Sequence, residues 1–330
     1  MTRVAVLGAG AIGCWVGGRL AAGGADVTLI GRPRVIGELE RGLVVSELGG
    51  ARWEVKPALA TDAAAARDAD VVLVTVKSGA TAEAGAELAR VIGDRAVVAS
   101  LQNGVRNAAT LRAELPGRVV LAGMVGYNIA RVGAGHYHRG TTGEIALEAH
   151  AAAAPLAAAC KRAELALSLR ADIAAVQWGK LVMNLNNAIN ALSGRPLAAE
   201  LADRDFRRCL AAAQREALDV LAAARVPVAR VLALPPRWVA RLLPMPDWAF
   251  RAIATRVAGV DPEARSSMAD DFAAGRATEI DYLQGEIAAV AARTGLRAPI
   301  NATLVALVHA AEAGGPRAFS GAELRRALGV

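Results

Sequence analysis

An apolar run, Val4-Ala5-Val6-Leu7, passes without a spacer into Gly8-Ala9-Gly10-Ala11-Ile12-Gly13, and this junction constrains the fold more than any other stretch of the chain. A continuous aliphatic run is how a strand buried on both faces reads. In G-x-G-x-x-G, Gly8 permits a tight turn, Gly10 lets a pyrophosphate approach the backbone, and Gly13 allows close contact between the strand and a helix over 13–22. The start of that helix, with Ala11 and Ile12 in the same turn, offers free N–H groups and a partial positive charge to phosphates. Three spaced glycines carry little information in a chain that has 33 of them. The strand before and the helix after make them a dinucleotide-binding signature.

Alternating strand and helix signals continue from there. A second strand over 26–30 ends at Gly31-Arg32, where an NAD-preferring site would place an acid on the ribose 2′-hydroxyl. A guanidinium suits a 2′-phosphate instead, so Arg32 favours NADP over NAD. Residues 44–55 form a β excursion, and a buried strand over 70–77 delivers Lys77 to its C-terminal end, where open α/β sheets bind ligands. A helix over 81–92 leads to a strand over 96–100 and then Gln102-Asn103-Gly104, in which Asn-Gly is also a plain turn signal. Further strands fall at 119–124 and 144–148, and the alanine-rich 149–159 stretch reads as helix. The pattern is an α/β, doubly wound Rossmann-type parallel sheet over 1–174. From 176 to 224, and again from 262 onward, apolar residues recur at helical spacing, so 175–330 is expected to be an all-α domain. Between those stretches, 226–260 is rich in Pro, Trp and Arg, a composition that suits a lid or a subunit contact.

Composition narrows the function classes. At 330 residues with 54% hydrophobic content, the chain is long enough for two domains and a large core. The scattered Cys14, Cys160 and Cys209 make neither a disulfide framework nor a metal spacing, so no metal is expected and a cytoplasmic location is the default. The N-terminus leaves no room for a signal peptide, and no run of 18 uncharged apolar residues occurs, which argues against a membrane partner. The net charge of +7 comes from arginines dispersed along the chain, a solvated surface rather than a nucleic-acid stripe. A homodimer is compatible with the sequence without being read from it.

Of the 38 basic residues only Lys56, Lys77, Lys161 and Lys180 are lysine. In a chain that uses arginine for surface charge, a lysine is a candidate for chemistry that needs a tunable pKa. In Trp178-Gly179-Lys180-Leu181-Val182-Met183-Asn184, the i, i+4 spacing sets Lys180 and Asn184 on one helical face, with Asn186, Asn187 and Asn190 following. Spacing alone leaves two readings open, an active site or a surface lysine with amides at a kink.

These motifs together resemble the ketopantoate reductase family, the NADPH-dependent 2-dehydropantoate 2-reductases. The resemblance runs over nearly the full length, through the glycine turn, Val74-Thr75-Val76-Lys77, Gln102-Asn103-Gly104, Trp178-Gly179-Lys180 with Asn184, Ser266-Ser267-Met268, Arg276-Ala277-Thr278-Glu279-Ile280-Asp281 and Ala298-Pro299-Ile300-Asn301. It implies Gly8, Gly10 and Gly13 on the pyrophosphate, Arg32 and Lys77 at the 2′-phosphate end, and Asn103 near nicotinamide and substrate. It further implies Lys180 as general acid, Asn184 and Ser267 on the substrate, and Glu279 ordering the lysine or the cofactor ribose. The family pattern has a further asparagine where this chain has Ala188, and Asn190 or Asn187 is expected to supply the missing amide. The stretch between Asn184 and Ser267 is longer than is typical. The leading expectation is reduction of a 2-keto acid, 2-dehydropantoate to pantoate. The alternatives are a D-2-hydroxy acid dehydrogenase for a branched or aromatic acid, and a non-catalytic NADP-sensing protein, which would have no need of a proton donor.

Overall fold

The computed structural model describes residues 1–231, 233–250, 252 and 264–330. The remainder of the expected 226–260 segment and the start of the helical stretch expected from 262 lie outside the described residues. The chain divides into two compact units, Met1–Ala174 and Ala175–Val330.

The first unit is built on an eight-stranded sheet. In chain order its strands are β1 (Arg3–Leu7), β2 (Asp26–Ile30), β5 (Ala58–Ala60), β6 (Val71–Val74), β7 (Val97–Ser100), β8 (Val119–Val125), β11 (Ile145–Glu148) and β12 (Leu167–Arg170). Two further pairs, β3 (Leu43–Glu47) with β4 (Arg52–Val55) and β9 (Ile129–Gly133) with β10 (His136–Arg139), form a separate four-stranded sheet. The large sheet runs β12-β11-β8-β7-β6-β1-β2-β5. The order reverses between β1 and β6, a topological switch point of the kind that opens a crevice at the carboxyl ends of the strands.

Two expectations are corrected here. Strand β11 pairs antiparallel with β8, so the sheet is not parallel throughout. No crossover helix separates these strands; the β9–β10 hairpin does, and a chain returning without a crossover must run antiparallel. Strand β6 stops at Val74 rather than continuing to Lys77. Beyond it the Thr75 hydroxyl donates to Gly8 O at 2.7 Å, drawing the chain toward the glycine turn.

Helix α1 (Ala11–Ala22) starts before the expected Gly13 and is buried between both sheets. A Cβ on Gly17 would lie 2.6 Å from Leu29 Cδ2 of the large sheet, and one on Gly18 2.7 Å from Val45 Cγ1 of the small one. Trp15 is fully buried, donates from Nε1 to Ser46 O at 2.9 Å, and meets Tyr127 edge-on at 5.1 Å. Helices α2 (Pro33–Leu39), α3 (Thr81–Val91), α4 (Asn107–Glu114) and α5 (Ala154–Arg162) complete the unit.

The second unit is helical, with no strand among the described residues. Helices α6 (Ile173–Asn184), α7 (Asn186–Ser193), α8 (Leu197–Ala202) and α9 (Arg204–Ala223) come first. They are followed by α10 (Pro236–Leu242), α11 (Ser267–Ala273), α12 (Gln284–Arg293), α13 (Pro299–Glu312) and α14 (Gly321–Leu328). Central α9 buries Phe206, Leu210, Ala213, Ala217 and Leu221, the three- and four-residue spacing of one apolar stripe. Its Glu216 accepts from Ile300 N at 2.9 Å and Asn301 N at 2.8 Å, satisfying the exposed donors at the start of α13. No described helix is long and apolar enough to cross a membrane.

Candidate active site

The glycine turn has the geometry its spacing demands. Gly8 sits at φ +114°, and a Cβ there would stand 2.6 Å from Val76 N. A Cβ on Gly13 would strike Gly8 O and lie 2.6 Å from Thr75 Oγ1. Gly10 is exposed, with nothing within 4 Å of the position its Cβ would take. Two glycines are thus needed for packing and the third leaves an open approach to the backbone. No side chain caps α1 and its first turn, with Ala11 and Ile12, carries no acidic residue. The first N–H groups of a helix have no helical acceptor, so this end fits an anionic pyrophosphate.

Arg32 is exposed just past β2, as the N-cap of α2, while Arg34 leans on Glu38 at 3.6 Å. Lys77 is half-buried, at the start of the short turn Ser78–Ala80. Asn103 follows β7, and Gly104 at φ +88° closes the turn that Asn-Gly announced. A buried polar network fixes these loops. Ser78 Oγ donates to Asn103 O at 3.0 Å, and Asn107 Nδ2 bonds the same carbonyl at 2.5 Å. Gln102 Nε2 donates to Val76 O at 3.0 Å and to Thr81 Oγ1 at 2.7 Å. Sequence reasoning missed Ser78, Thr81 and Asn107; a polar residue that packs inward looks the same in sequence as one at the surface.

In the helical unit Lys180 and Asn184 lie near the end of α6, as their spacing predicts. Lys180 is half-buried, and removal of its ammonium from water lowers its pKa below the ordinary lysine value. The helix does not run on into the amide cluster. It breaks at Leu185, whose carbonyl accepts from the fully buried Gln284 Nε2 at 2.8 Å, and α7 restarts at Asn186. That bond also ties the start of α12, and with it the Glu279 turn, to the residue after Asn184. Glu279 itself is half-buried, immediately before the short turn Ile280–Tyr282.

Helix α11 packs on α7. Ser266 caps it, its hydroxyl accepting from Ala269 N at 3.2 Å and donating to Asn187 O at 3.2 Å. The exposed Ser267 receives a weak bond from Asn187 Nδ2 at 3.4 Å. The expectation that Asn190 contacts substrate is not met by this geometry. Asn190 is completely buried; its Nδ2 donates to Arg195 O at 3.0 Å and Glu200 Oε2 at 3.2 Å, and its Oδ1 accepts from Ser266 N at 2.9 Å. Asn190 thus faces the core and holds Ser266 instead. Asn187 is the amide that reaches Ser267.

The Trp/Pro segment is anchored on α9. Arg207 has no exposed surface and donates to Leu201 O, Ala202 O, Leu243 O and Met245 O at 2.8 to 3.0 Å, with Asp247 at 2.7 Å. Phe250 covers its guanidinium at 4.3 Å, whereas Trp238 and Trp248 are 54% and 76% exposed. No group of three or more His, Cys, Asp or Glu among the described residues is placed to hold a metal ion.

A doubly wound unit with an open glycine turn, followed by a helical unit bearing a lysine and amides, is an arrangement that suits an oxidoreductase. The ketopantoate reductase PanE/ApbA model matches residues 4–152 and its C-terminal counterpart residues 172–312, so the chain belongs to the ketopantoate reductase family. It is 32% identical to 2-dehydropantoate 2-reductase of Halobacterium salinarum, over 95% of this chain and 100% of that one. The corresponding enzyme of Archaeoglobus fulgidus is 30% identical over 94% of this chain and 98% of its own length. Among solved structures, a PanE/ApbA family ketopantoate reductase from Ralstonia eutropha superposes with a TM-score of 0.81 at 32% identity, covering 95% of this chain and 99% of that one. D-mandelate dehydrogenase shares the fold at a TM-score of 0.80 and 20% identity, with the same coverage.

Proposed function

We propose that this chain reduces 2-dehydropantoate to pantoate with NADPH, a step of pantothenate biosynthesis, and that Lys180 is the general acid. The observation that carries the reading is Lys180 itself, a half-buried ammonium of lowered pKa on the same helical face as Asn184. When bound, NADPH supplies the hydride that reduces the ketone carbon. Charge then builds on the ketone oxygen, and Lys180 Nζ stabilises it and delivers the proton that completes the hydroxyl. Asn184 and Ser267 hold the substrate carboxylate and 2-oxygen, with Asn187 steadying Ser267. Asn103 orients the reacting end of the cofactor, and Glu279 orders the lysine or the cofactor ribose. The two units take the roles of NADP-binding domain and substrate domain. A homodimer, readable as molecular mass in solution, fits the exposed Trp238 and Trp248. Cytoplasmic residence goes with this biosynthetic role, and fractionation of source cells tests it.

The discriminating experiment compares kcat/KM for ketopantoate and for 2-ketoisovalerate, which lacks the terminal hydroxyl. A site built to bond that hydroxyl rejects the analogue by as much as ~10⁴-fold, because its buried polar groups are left unpaired. A large preference for ketopantoate is expected. Equal or better use of 2-ketoisovalerate or phenylglyoxylate would reassign the chain to D-2-hydroxy acids.

Cofactor choice is tested at Arg32. Losing a charge-assisted phosphate contact costs about 1.5 to 3 kcal/mol, so Arg32→Ala should weaken NADPH binding by at least roughly tenfold and leave NADH nearly unchanged. Titration of both cofactors against this variant reads the difference, and an unaltered NADPH/NADH ratio would remove Arg32 from the site.

A further inference from the structure

Glu200, on α8, is completely buried within the helical unit. Its Oε2 accepts from Asn186 Nδ2 at 3.1 Å and from Asn190 Nδ2 at 3.2 Å. Asn190 Oδ1 in turn accepts from Ser266 N, and Ser266 caps the helix that begins at Ser267. A chain of short bonds therefore leads from one carboxyl group to the candidate substrate serine.

Two buried oxygens in this network have no donor: Glu200 Oε1 and Asn186 Oδ1. They are the second oxygens of two groups already joined through Nδ2 and Oε2. Two bare acceptors on paired groups are costly in a low-dielectric interior, and one proton between them satisfies both. Among the described residues, the groups around Glu200 offer no neutralising cation. Helix α7 carries no charged residue, and α9 presents the buried Cys209 thiol with Asp203 at its N-cap. Arg195 pairs with Asp203 at 3.6 Å, and Arg207 is taken up by carbonyls and Asp247. Burial, helped by the nearby Asp203 charge and opposed by the two amide bonds, pushes the Glu200 carboxyl up to about 7.

We propose that Glu200 is kept as a neutral carboxylic acid, donating from Oε1 to Asn186 Oδ1 in a two-bond acid–amide pair, and that it positions Ser266 and Ser267 through Asn190. The positioning half rests on the reading of Ser267 as a substrate residue; the acid–amide pair does not. Glu200 touches no substrate. It sets α7 and the start of α11 relative to each other, so ionisation would turn a bonded edge into two opposed oxygens and loosen that start.

The test uses the full chain and three readouts. Infrared difference spectra at pH 6 between wild type and Glu200→Gln should contain the C=O stretch of a protonated carboxyl group. Glutamine keeps the three bonds, with Oε1 accepting twice and Nε2 donating to Asn186 Oδ1, but cannot titrate. The folded state holds its proton to about pH 7 while the unfolded chain releases it near 4.5, so the folded state binds more protons in that window. Wild type should therefore lose thermal stability relative to Glu200→Gln as pH rises through the window. Glu200→Leu strips both amides of their acceptor and should raise KM for the 2-keto acid by about tenfold or more, with NADPH affinity unchanged, and glutamine should rescue it. No carboxyl band, together with a melting-temperature difference that stays flat with pH, overturns the acid–amide pair. The band and the pH dependence with an unchanged KM in Glu200→Leu overturn the positioning role. If the protein turns over no 2-keto acid, or Glu200→Leu fails to fold, the spectra and the glutamine comparison still decide the protonation state.

Discussion

Lys180→Ala is expected to lower turnover at least ~10²-fold, the usual loss for a missing general acid, while NADPH still binds. Lys180→Arg should fail as well, since a guanidinium stays protonated and gives up no proton near neutral pH. Single-turnover rates with saturating NADPH separate this from a binding defect, and near-normal turnover by Lys180→Arg would place the proton donor elsewhere. Because burial lowers the lysine pKa, activity should decline with rising pH below the ordinary lysine range, and both variants should lack that limb. The same burial makes a stability prediction of definite sign. Between the lowered pKa and the unfolded value of 10.5 the unfolded chain binds more protons, so wild-type stability climbs as pH rises through that window. Lys180→Met, which keeps the stem and drops the charge, should accordingly melt higher than wild type at neutral pH. A site that stabilises a reaction at the expense of the fold behaves this way.

Arg207→Met should cost the helical unit about 3 to 5 kcal/mol, the range for removing one partner of a buried charged network. Four carbonyl oxygens and Asp247 lose their donor together, and Phe250 loses the cation it covers. Arg207→Lys should recover little, since a single ammonium with three donors cannot replace a planar fork that spans α8 and the chain after α10. At roughly 2 to 4 °C per kcal/mol for a unit of this size, the melting temperature should fall by about 6 °C or more. Far-UV circular dichroism and fluorescence of the exposed Trp238 and Trp248 can follow the transition. Native melting of Arg207→Met would mean that the carbonyls find other donors. Since this segment holds acceptors of Arg207, single substitutions at Trp238 and Trp248 are sharper probes of a lid or subunit contact than its deletion.

The parts of the site legible in the sequence are those whose constraints are local. Gly8, Gly10 and Gly13 are fixed by backbone conformation and by what touches them from one strand and one helix, and the i, i+4 placement of Lys180 and Asn184 is a property of any helix. The break at Leu185 was not legible. Met183-Asn184-Leu185-Asn186 contains neither Gly nor Pro; the carbonyl that ends the first helix is held by Gln284, 99 residues away. Asn190 was misread because the groups that bury and bond it, Glu200 and Ser266, are reached only through the fold. Glu200 carried no signal either, since an acid in a helix ordinarily faces water and only the fold buries it. In the first unit, β9 was missed because most of its residues are exposed and its pattern is not alternately apolar, while the β11 reversal depends on the hairpin that β9 begins.

Each compact unit is one uninterrupted stretch of chain, and that has a consequence for the order in which the protein is made. The first unit can close on itself during synthesis before the helices that follow have left the ribosome. Its final strand to emerge is β12, which lies at one edge of the large sheet and is hydrogen-bonded only to β11. Until β12 arrives, β11 presents an unpaired strand edge, the kind of surface that recruits strands from other chains. A nascent chain released before Leu167 would leave that edge open to aggregation.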